Sequence, residues 1–149
     1  MTPADLDRIE SSLGVTLPTD YRGLMQNYPF AAETVAHSSM LIDDPDWVIG
    51  ANRGVDTHFM LHHRQGRWVP TRDYLQIGND GGENYYYLDL RGTPPPVYGF
   101  DLEAGTLSVF AADLGDYTRR CTEIDEELAE EERLEAEWLR EKKWWQFWR

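Results

Sequence analysis

A single stretch near the middle of the chain, residues 74–90, constrains the fold most strongly. Two apolar and aromatic runs, residues 74–77 and 85–90, flank a turn that contains Gly, Asn, Asp and Glu. This arrangement predicts a β-hairpin, because aromatic and β-branched residues favour strands while Gly, Asn and Asp favour tight turns. Glycine tolerates a positive φ that other residues resist. We expect that conformation at three glycines of the turn, Gly78, Gly81 and Gly82.

Helical patterns stand on both sides of this hairpin in the sequence. Residues 3–13 and 18–28 place apolar side chains three and four apart, as amphipathic helices do. The first of them is preceded by threonine and followed by glycine, which suit its two caps. Short apolar runs at residues 40–42 and within 97–110 predict further strands. A C-terminal segment rich in Glu, Ala, Leu and Arg predicts a long final helix.

Helices first, a mostly antiparallel sheet in the middle and helices last predict an α+β fold. The 149 residues are enough for one domain with a single core. We expect residues 1–121 to form that domain and residues 122–149 to form an acidic C-terminal helix with a Trp-rich end.

Several features predict a cytoplasmic protein. No apolar run approaches the ~20 residues that span a bilayer, and the first residues lack the pattern of a secretory signal. The only cysteine, Cys121, permits no intrachain disulfide and fits a reducing compartment.

The formal net charge is −13. It argues against nucleic-acid binding, because the phosphate backbone requires lysine and arginine. It is compatible with a basic protein partner, whose approach a negative field accelerates. The alternative is a charge that serves only solubility. The excess is largest in residues 123–141, which hold ten acidic and two basic residues.

Tryptophans crowd the end of this acidic segment. A membrane-surface anchor is one interpretation, because tryptophan beside Lys142 and Lys143 suits a lipid interface. The preceding acidic run does not suit an anionic membrane, so we do not expect membrane contact. We favour packing on the domain or self-association, which would make the helix a route to a homo-oligomer. The candidates for this role are Trp138, Trp144, Trp145 and Trp148.

Three separated pieces of the chain resemble the SUKH superfamily. Residues 9–22 resemble its opening helical pair, which reads roughly I-x-x-x-E-x-x-L-G-x-x-L-P-x-D-Y. Residues 74–90 resemble its I-G-x-D-G-G-G-N-x-Y-x-L-D-L hairpin. Residues 96–117 resemble its P-V-Y strand and final helix. The resemblance covers about residues 5–120 and leaves the tail outside.

This resemblance implies an α+β scaffold in which helices flank a sheet. Many bacterial members are immunity proteins that bind and block a cognate toxin, often a nuclease or another polymorphic toxin. Related fungal members regulate cell-wall synthesis through protein contacts. The resemblance brings no catalytic residue, metal ligand or cofactor to this chain. We therefore expect a non-enzymatic immunity protein that occludes a toxin, with a regulatory protein–protein interaction scaffold as the alternative.

The partner-binding candidates are acidic residues in predicted turns at the edges of elements, namely Asp43, Asp44, Asp46, Asp56, Asp80 and Glu83. A hydrolase using Asp80, Glu83 or Asp89 is a further hypothesis. It would require two of these carboxyl groups to converge across a cleft. Turn chemistry accounts better for Asp80 and Glu83, since acidic and amide side chains stabilise turns.

Three histidines and the cysteine have both a functional and a structural interpretation. A metal pair among His58, His62 and His63 lacks further ligands in the sequence. Cys121 follows Arg119 and Arg120, which would lower a thiol pKa, but its helical position fits a packed thiol better. We expect neither a metal nor a cofactor.

Overall fold

The computed structural model describes residues 1–53, 71–81 and 84–146, and of residue 141 and residues 143–146 it describes the backbone. Within these ranges the elements follow one another as α1 (Pro3–Leu13), α2 (Thr19–Gln26), a π-helix (Ala36–Met40), α3 (Pro45–Arg53), β1 (Tyr74–Asn79), β2 (Asn84–Asp89), β3 (Val97–Asp101), β4 (Thr106–Ala111) and α4 (Leu114–Gln146).

The four strands form one sheet in the order β1-β2-β3-β4, and each neighbouring pair is antiparallel. Strands that follow one another in sequence are also neighbours in the sheet, as short turns between antiparallel strands require. The sheet stands between N-terminal helices and a long C-terminal helix in the chain. The predicted α+β fold and the predicted hairpin are confirmed.

The hairpin turn uses its glycines for two different purposes. Gly81 has a φ of 78°, as predicted for the turn. Gly78 does not have a positive φ, so that prediction was wrong. A Cβ atom at Gly78 would lie 1.9 Å from the carbonyl oxygen of Met40, so glycine is needed there for close approach of two backbones. Gly82 lies outside the described residues.

The N-terminal helices end where local signals place their ends. Thr2 and Asp5 form a capping box at the start of α1, and Gly14 closes the helix with a φ of 67°. Helix α2 ends at Gln26, with Asn27 as C-cap, ahead of Pro29. Both helices bury one face, as their apolar spacing predicts.

The strand predicted for residues 40–42 is wrong. Met40 is the last residue of the π-helix, and Leu41 follows it in an extended conformation. The Tyr117 hydroxyl donates a hydrogen bond to the Met40 carbonyl, and the Tyr28 hydroxyl donates one to the Leu41 carbonyl. Side chains from distant segments therefore occupy acceptors that a strand ladder would otherwise use.

The core lies between the helices and one face of the sheet. Three aromatic rings pack together in the part of the core that contacts α4. The centroid of the Tyr86 ring lies 4.7 Å from that of Phe110 and 5.5 Å from that of Tyr117. A Cβ at Gly99 would come within 3.7 Å of Phe110, which covers the space above that glycine. Leu88 is fully buried in the same core.

Helix α4 continues without interruption from the core into solvent. Its first turns bury Leu114, Tyr117 and Cys121. Farther along, Leu134 and Trp138 are 52% and 53% exposed. The predicted domain boundary after residue 121 therefore falls inside one continuous helix. Among the described helices, none combines the length and the apolar character that crossing a membrane requires.

Candidate functional site

An open groove of about 520 Å³ lies where the π-helix, the start of α3 and the β1–β2 turn meet. We call it the π-helix groove. Its wall combines hydroxyl, imidazole, carboxylate, amide and indole groups. The residues that define it here are His37, Ser38, Asp43, Asp44, Trp47 and Asn79.

Contacts between distant segments place the three elements side by side. The backbone N–H of Ile42 donates to the Ile77 carbonyl at 3.0 Å, which ties the chain after the π-helix to β1. The close approach at Gly78 then brings the hairpin turn against the Met40 carbonyl. At the other end of the π-helix, the Asp125 carboxylate accepts from the Ala36 N–H at 3.1 Å. The groove wall is consequently held at both ends.

Asp44 caps helix α3 and so sets the position of Trp47. Its Oδ1 accepts from the N–H of Asp46 at 2.8 Å and from the N–H of Trp47 at 3.3 Å. This is the arrangement by which aspartate satisfies the free N–H groups of a helix start. The half-buried Trp47 indole packs against the core and also lines the groove.

Asp43, the residue before Asp44, is held in place by the amino group of Met1. Its Oδ1 accepts from the Met1 nitrogen at 2.8 Å, and that nitrogen also donates to the Met25 carbonyl at 2.8 Å. The carboxylate is 26% exposed. Burial, and after it the negative charge of Asp43, raises the pKa of the Tyr21 and Tyr28 hydroxyls well above the usual range.

Asp46 points away into solvent beside the groove. Its side chain is 78% exposed and pairs with Arg8 across α1 and α3 at 2.9 Å. An ion pair this exposed contributes little to stability, about 1 kcal/mol at most. Asp46 is thus a charged group on the surface next to the groove wall.

Asp80 closes the hairpin turn, as turn chemistry predicts. Its carboxylate accepts from the backbone N–H of Asn84 at 3.1 Å and from the Asn84 side-chain amide at 2.6 Å. The Asn79 side chain accepts from the Gly81 N–H at 2.8 Å in the same turn. Asp56 and Glu83, the remaining acidic candidates, lie outside the described residues.

The geometry does not bring together Asp80 and Asp89, the two carboxylates of the hydrolase hypothesis that lie among the described residues. Asp80 is bound to Asn84 at one end of β2, whereas Asp89 is at the other end. A strand rises about 3.4 Å per residue, so these ends are roughly 17 Å apart. Asp89 is instead paired with Arg91, whose Nε lies 3.0 Å from Oδ1. Hydrogen bonds from Arg91 lower the Asp89 pKa.

The cysteine and histidine candidates show ordinary packing where they are described. Cys121 is fully buried, and burial raises its pKa to about 12, so the thiol is protonated at neutral pH. The interpretation as a packed thiol is confirmed. His37 packs its ring against the Tyr28 ring, with centroids 5.5 Å apart. Within residues 1–53, 71–81 and 84–146, no group of three or more His, Cys, Asp or Glu residues is placed to hold a metal. His58, His62 and His63 lie outside these ranges.

The tryptophans of the tail are described in part. Trp138 is exposed, and the Lys142 ammonium lies 3.9 Å from the centroid of its ring. Trp144 and Trp145 belong to the backbone of α4, whereas Trp148 lies outside the described residues.

Sequence reasoning identified two acidic residues of the groove but missed the rest of its wall. His37, Ser38 and Asn79 have no local pattern that marks them as neighbours. The available signal was Asp44 followed by a proline. It predicts a short helix through Arg53 that would bury Trp47, Val48 and Ala51, and α3 confirms that helix. The π-helix, a rare element that often occurs at functional sites, was not predictable from apolar spacing.

The similarity of this chain to known proteins is at the level of a family and includes the domain and the groove. Neither a curated protein nor a solved structure matches the chain. A model of the SMI1 / KNR4 family (SUKH-1) matches residues 1–120. That range contains every described strand, the π-helix, α1 to α3 and the first turns of α4. The match extends over most of the 149 residues, and the chain therefore belongs to the SMI1 / KNR4 family (SUKH-1), as its resemblance to the SUKH superfamily predicts.

Proposed function

We propose that this chain is an immunity protein that binds a cognate bacterial toxin and covers the toxin's working surface with the π-helix groove and its acidic rim, by which we mean Asp44, Asp46 and Asp80. The observation that carries the proposal is the convergence of three elements on one open, acidic groove in a member of the SMI1 / KNR4 family. Such a protein inhibits by occlusion and transforms no substrate.

The groove is suited to binding because the fold holds its groups in place before any partner arrives. Asp44 is fixed as a helix cap and Asn79 is fixed in a hairpin turn. Groups that are already ordered lose little conformational entropy on association, so more of the interaction energy is available for affinity.

The chemistry of the groove resembles that of protein interfaces. Trp47 is a half-buried aromatic side chain, the type that most often dominates binding energy. Around it, Ser38 and His37 offer hydrogen-bonding groups. A stable complex buries about 800 Å² on each partner, so the surface around the groove would also take part.

The charge of the chain favours a basic partner. The net charge is −13, and the exposed residues Asp44, Asp46 and Asp80 stand at or beside the groove. A nuclease that binds the phosphate backbone carries a positive surface. The acidic rim would attract that surface at long range and compete there with nucleic acid.

A regulatory scaffold is the second candidate function. The observation that favours it is the exposed part of α4, where Leu134 and Trp138 project from the domain. A protein with two separate binding surfaces can hold two partners together, as a scaffold requires.

The test begins with the open reading frames next to the gene for this chain, where the immunity function predicts a gene for a secreted toxin. Co-expression of this chain should rescue cells from that toxin, and the purified pair should bind stoichiometrically with an affinity that falls as salt increases. Failure to rescue, or absence of binding, would reject the immunity function.

A pair of matched variants locates the contact. Ser38→Arg places a bulky positive charge on the exposed groove wall, whereas Ser108→Arg places the same charge on the exposed part of β4. We expect Ser38→Arg to weaken toxin binding by at least about tenfold and Ser108→Arg to leave it nearly unchanged. If the two variants behave alike, the groove is not the contact surface.

A further inference from the structure

The exposed part of α4 is a second surface, built from elements that do not line the groove. The Asp125 carboxylate, which accepts from the Ala36 N–H at 3.1 Å, is the last side chain of α4 with a described hydrogen bond to the domain. From residue 126 to residue 140 the side chains are exposed apart from half-buried Glu137. We call residues 126–146 the α4 extension. At 1.5 Å per residue it is about 30 Å long.

Four large apolar side chains of the extension lie within one sector of the helix. Leu128, Leu134, Trp138 and Leu139 are 37%, 52%, 53% and 46% exposed. At 3.6 residues per turn they fall within an arc of about 140°, the width of the apolar stripe on a helix that packs against a partner. Leu134 and Trp138 are four residues apart and so are neighbours on the surface.

The charges on this stripe are mostly negative. Helical spacing places Glu127, Glu131 and Glu135 among the apolar side chains. Arg133 falls on the opposite side of the helix, where its guanidinium pairs with Glu130 at 2.9 Å and with Glu137 at 3.1 Å. Arg133 is therefore neutralised away from the stripe. Lys142 is the cation that helical spacing places on the stripe, and its ammonium lies 3.9 Å from the centroid of the Trp138 ring, so three acidic residues stand there against one base.

The combination of apolar and acidic groups selects the occupant. A second copy aligned in parallel would place Glu131 and Glu135 against the same residues, and an antiparallel pair centred on residue 133 would place Glu131 against Glu135. Each chain already carries a net charge of −13. Like charges in register destabilise helix pairs. An anionic membrane surface is repelled for the same reason. A helix with a leucine-rich face flanked by lysine or arginine satisfies both the apolar and the acidic groups.

We propose that the α4 extension docks a basic amphipathic helix of a partner protein, with apolar side chains against Leu134 and Trp138 and cations against Glu127, Glu131 and Glu135. This surface lies beyond the family match to residues 1–120 and beyond the groove. The inference is independent of whether the groove binds a toxin.

The test uses the full chain and labelled helical peptides of about 21 residues, the length that matches the extension. One peptide carries leucine on one face and lysine elsewhere. A second replaces every lysine with glutamate, and a third replaces every leucine with serine. Fluorescence anisotropy should show binding of the Leu/Lys peptide at least about tenfold tighter than that of the other two.

Two double variants tie the binding to the stripe. Leu134→Ser with Trp138→Ser removes its centre, while Ala129→Ser with Ala136→Ser changes exposed residues outside it. Circular dichroism checks that both variants keep their helix. We expect at least about tenfold weaker binding for the first and a change within about twofold for the second. Ser38→Arg, which tests the groove, should leave peptide binding unchanged.

Several results would overturn this inference. Equal binding of the Ser/Lys peptide would mean that charge alone is responsible. Equal loss in both double variants would remove the stripe from the contact. A dimer in sedimentation equilibrium that disappears in the Leu134→Ser, Trp138→Ser variant would identify a second copy as the occupant.

Discussion

The two parts of helix α4 are held by different kinds of interaction. Before Asp125 the helix buries Tyr117 and Cys121 in the core, and the Tyr117 hydroxyl reaches Met40, 77 residues away in sequence. Beyond Asp125, Arg133 pairs with residues three and four positions away on the same helix. Exposed pairs of this kind contribute little to stability, because water and salt screen them. The comparison indicates that tertiary contacts stabilise the body, whereas local interactions and helix propensity maintain the extension.

The largest expected effect is that of Gly78→Ala in the body. A Cβ there would lie 1.9 Å from the Met40 carbonyl oxygen, so the sheet or the π-helix would have to move. We expect urea unfolding to show a loss of at least about 3 kcal/mol in unfolding free energy.

Gly23→Ala is the matched control, because α2 leaves open space around that glycine. Alanine is the better helix former by about 1 kcal/mol, so this variant should be as stable as the wild type or more stable. A Gly78→Ala variant as stable as Gly23→Ala would show that the two backbones do not approach closely.

Tyr117→Phe should have the next largest effect, since it leaves the Met40 carbonyl without the Tyr117 hydroxyl as donor. An unsatisfied buried acceptor costs about 1–3 kcal/mol, measurable by denaturant unfolding. Tyr21→Phe provides the contrast, because the fully buried Tyr21 hydroxyl has no hydrogen-bond partner among the described residues. Removing the Tyr21 hydroxyl should leave the unfolding free energy unchanged. Equal losses in the two variants would contradict the assignment of the Tyr117 hydrogen bond.

Alkaline pH should destabilise the body through Cys121. Burial raises the thiol pKa from 9.0 to about 12, so between these values the unfolded chain releases a proton that the folded chain retains. The contribution is complete below pH 9 and is lost as the pH rises towards 12. Above pH 9 the unfolding free energy of the wild type should fall more steeply with pH than that of Cys121→Ala. The difference between the two slopes should be up to about 1.4 kcal/mol per pH unit. Parallel pH profiles would refute this.

The smallest effect on the body is expected from a proline in the extension. Glu131→Pro should reduce the helical circular dichroism signal, because proline removes a helix hydrogen bond. It should change the unfolding free energy of the body by no more than about 0.5 kcal/mol, since Glu131 is exposed and lies beyond Asp125, the last side chain of α4 with a described hydrogen bond to the domain. Thr118→Pro, in the packed part of the same helix, should cost about 3 kcal/mol or more. Comparable losses would mean that the extension also supports the body.

The elements that were predicted correctly are encoded by residues close to one another in the sequence. The capping box at Thr2, the glycine after α1 and the turn around Gly81 depend on residues within a few positions of one another. Apolar spacing likewise reports which face of a helix is buried without reference to the remainder of the chain. These signals were sufficient for the α+β class and for the hairpin.

Only part of the groove was predictable, because its residues come from segments that are distant in the sequence. Asp43 and Asp44 were candidates because they are acidic residues in a predicted turn at the edge of an element. Their neighbours His37 and Asn79 come from a π-helix and a hairpin turn that meet only in the folded chain. The strand expected at residues 40–42 failed because a short apolar run does not reveal which partner will occupy its carbonyl groups.

The helices, the hairpin, the acidic charge and the resemblance to the SUKH superfamily are predictable from the amino-acid sequence, since each is encoded by composition or by spacing over a few residues. The π-helix and the groove arise only when the chain folds. Asp125 binds the Ala36 N–H across 89 positions of sequence, and Gly78 lets the Met40 carbonyl approach. Such contacts depend on how distant surfaces fit together, and no local pattern of residues carries that information.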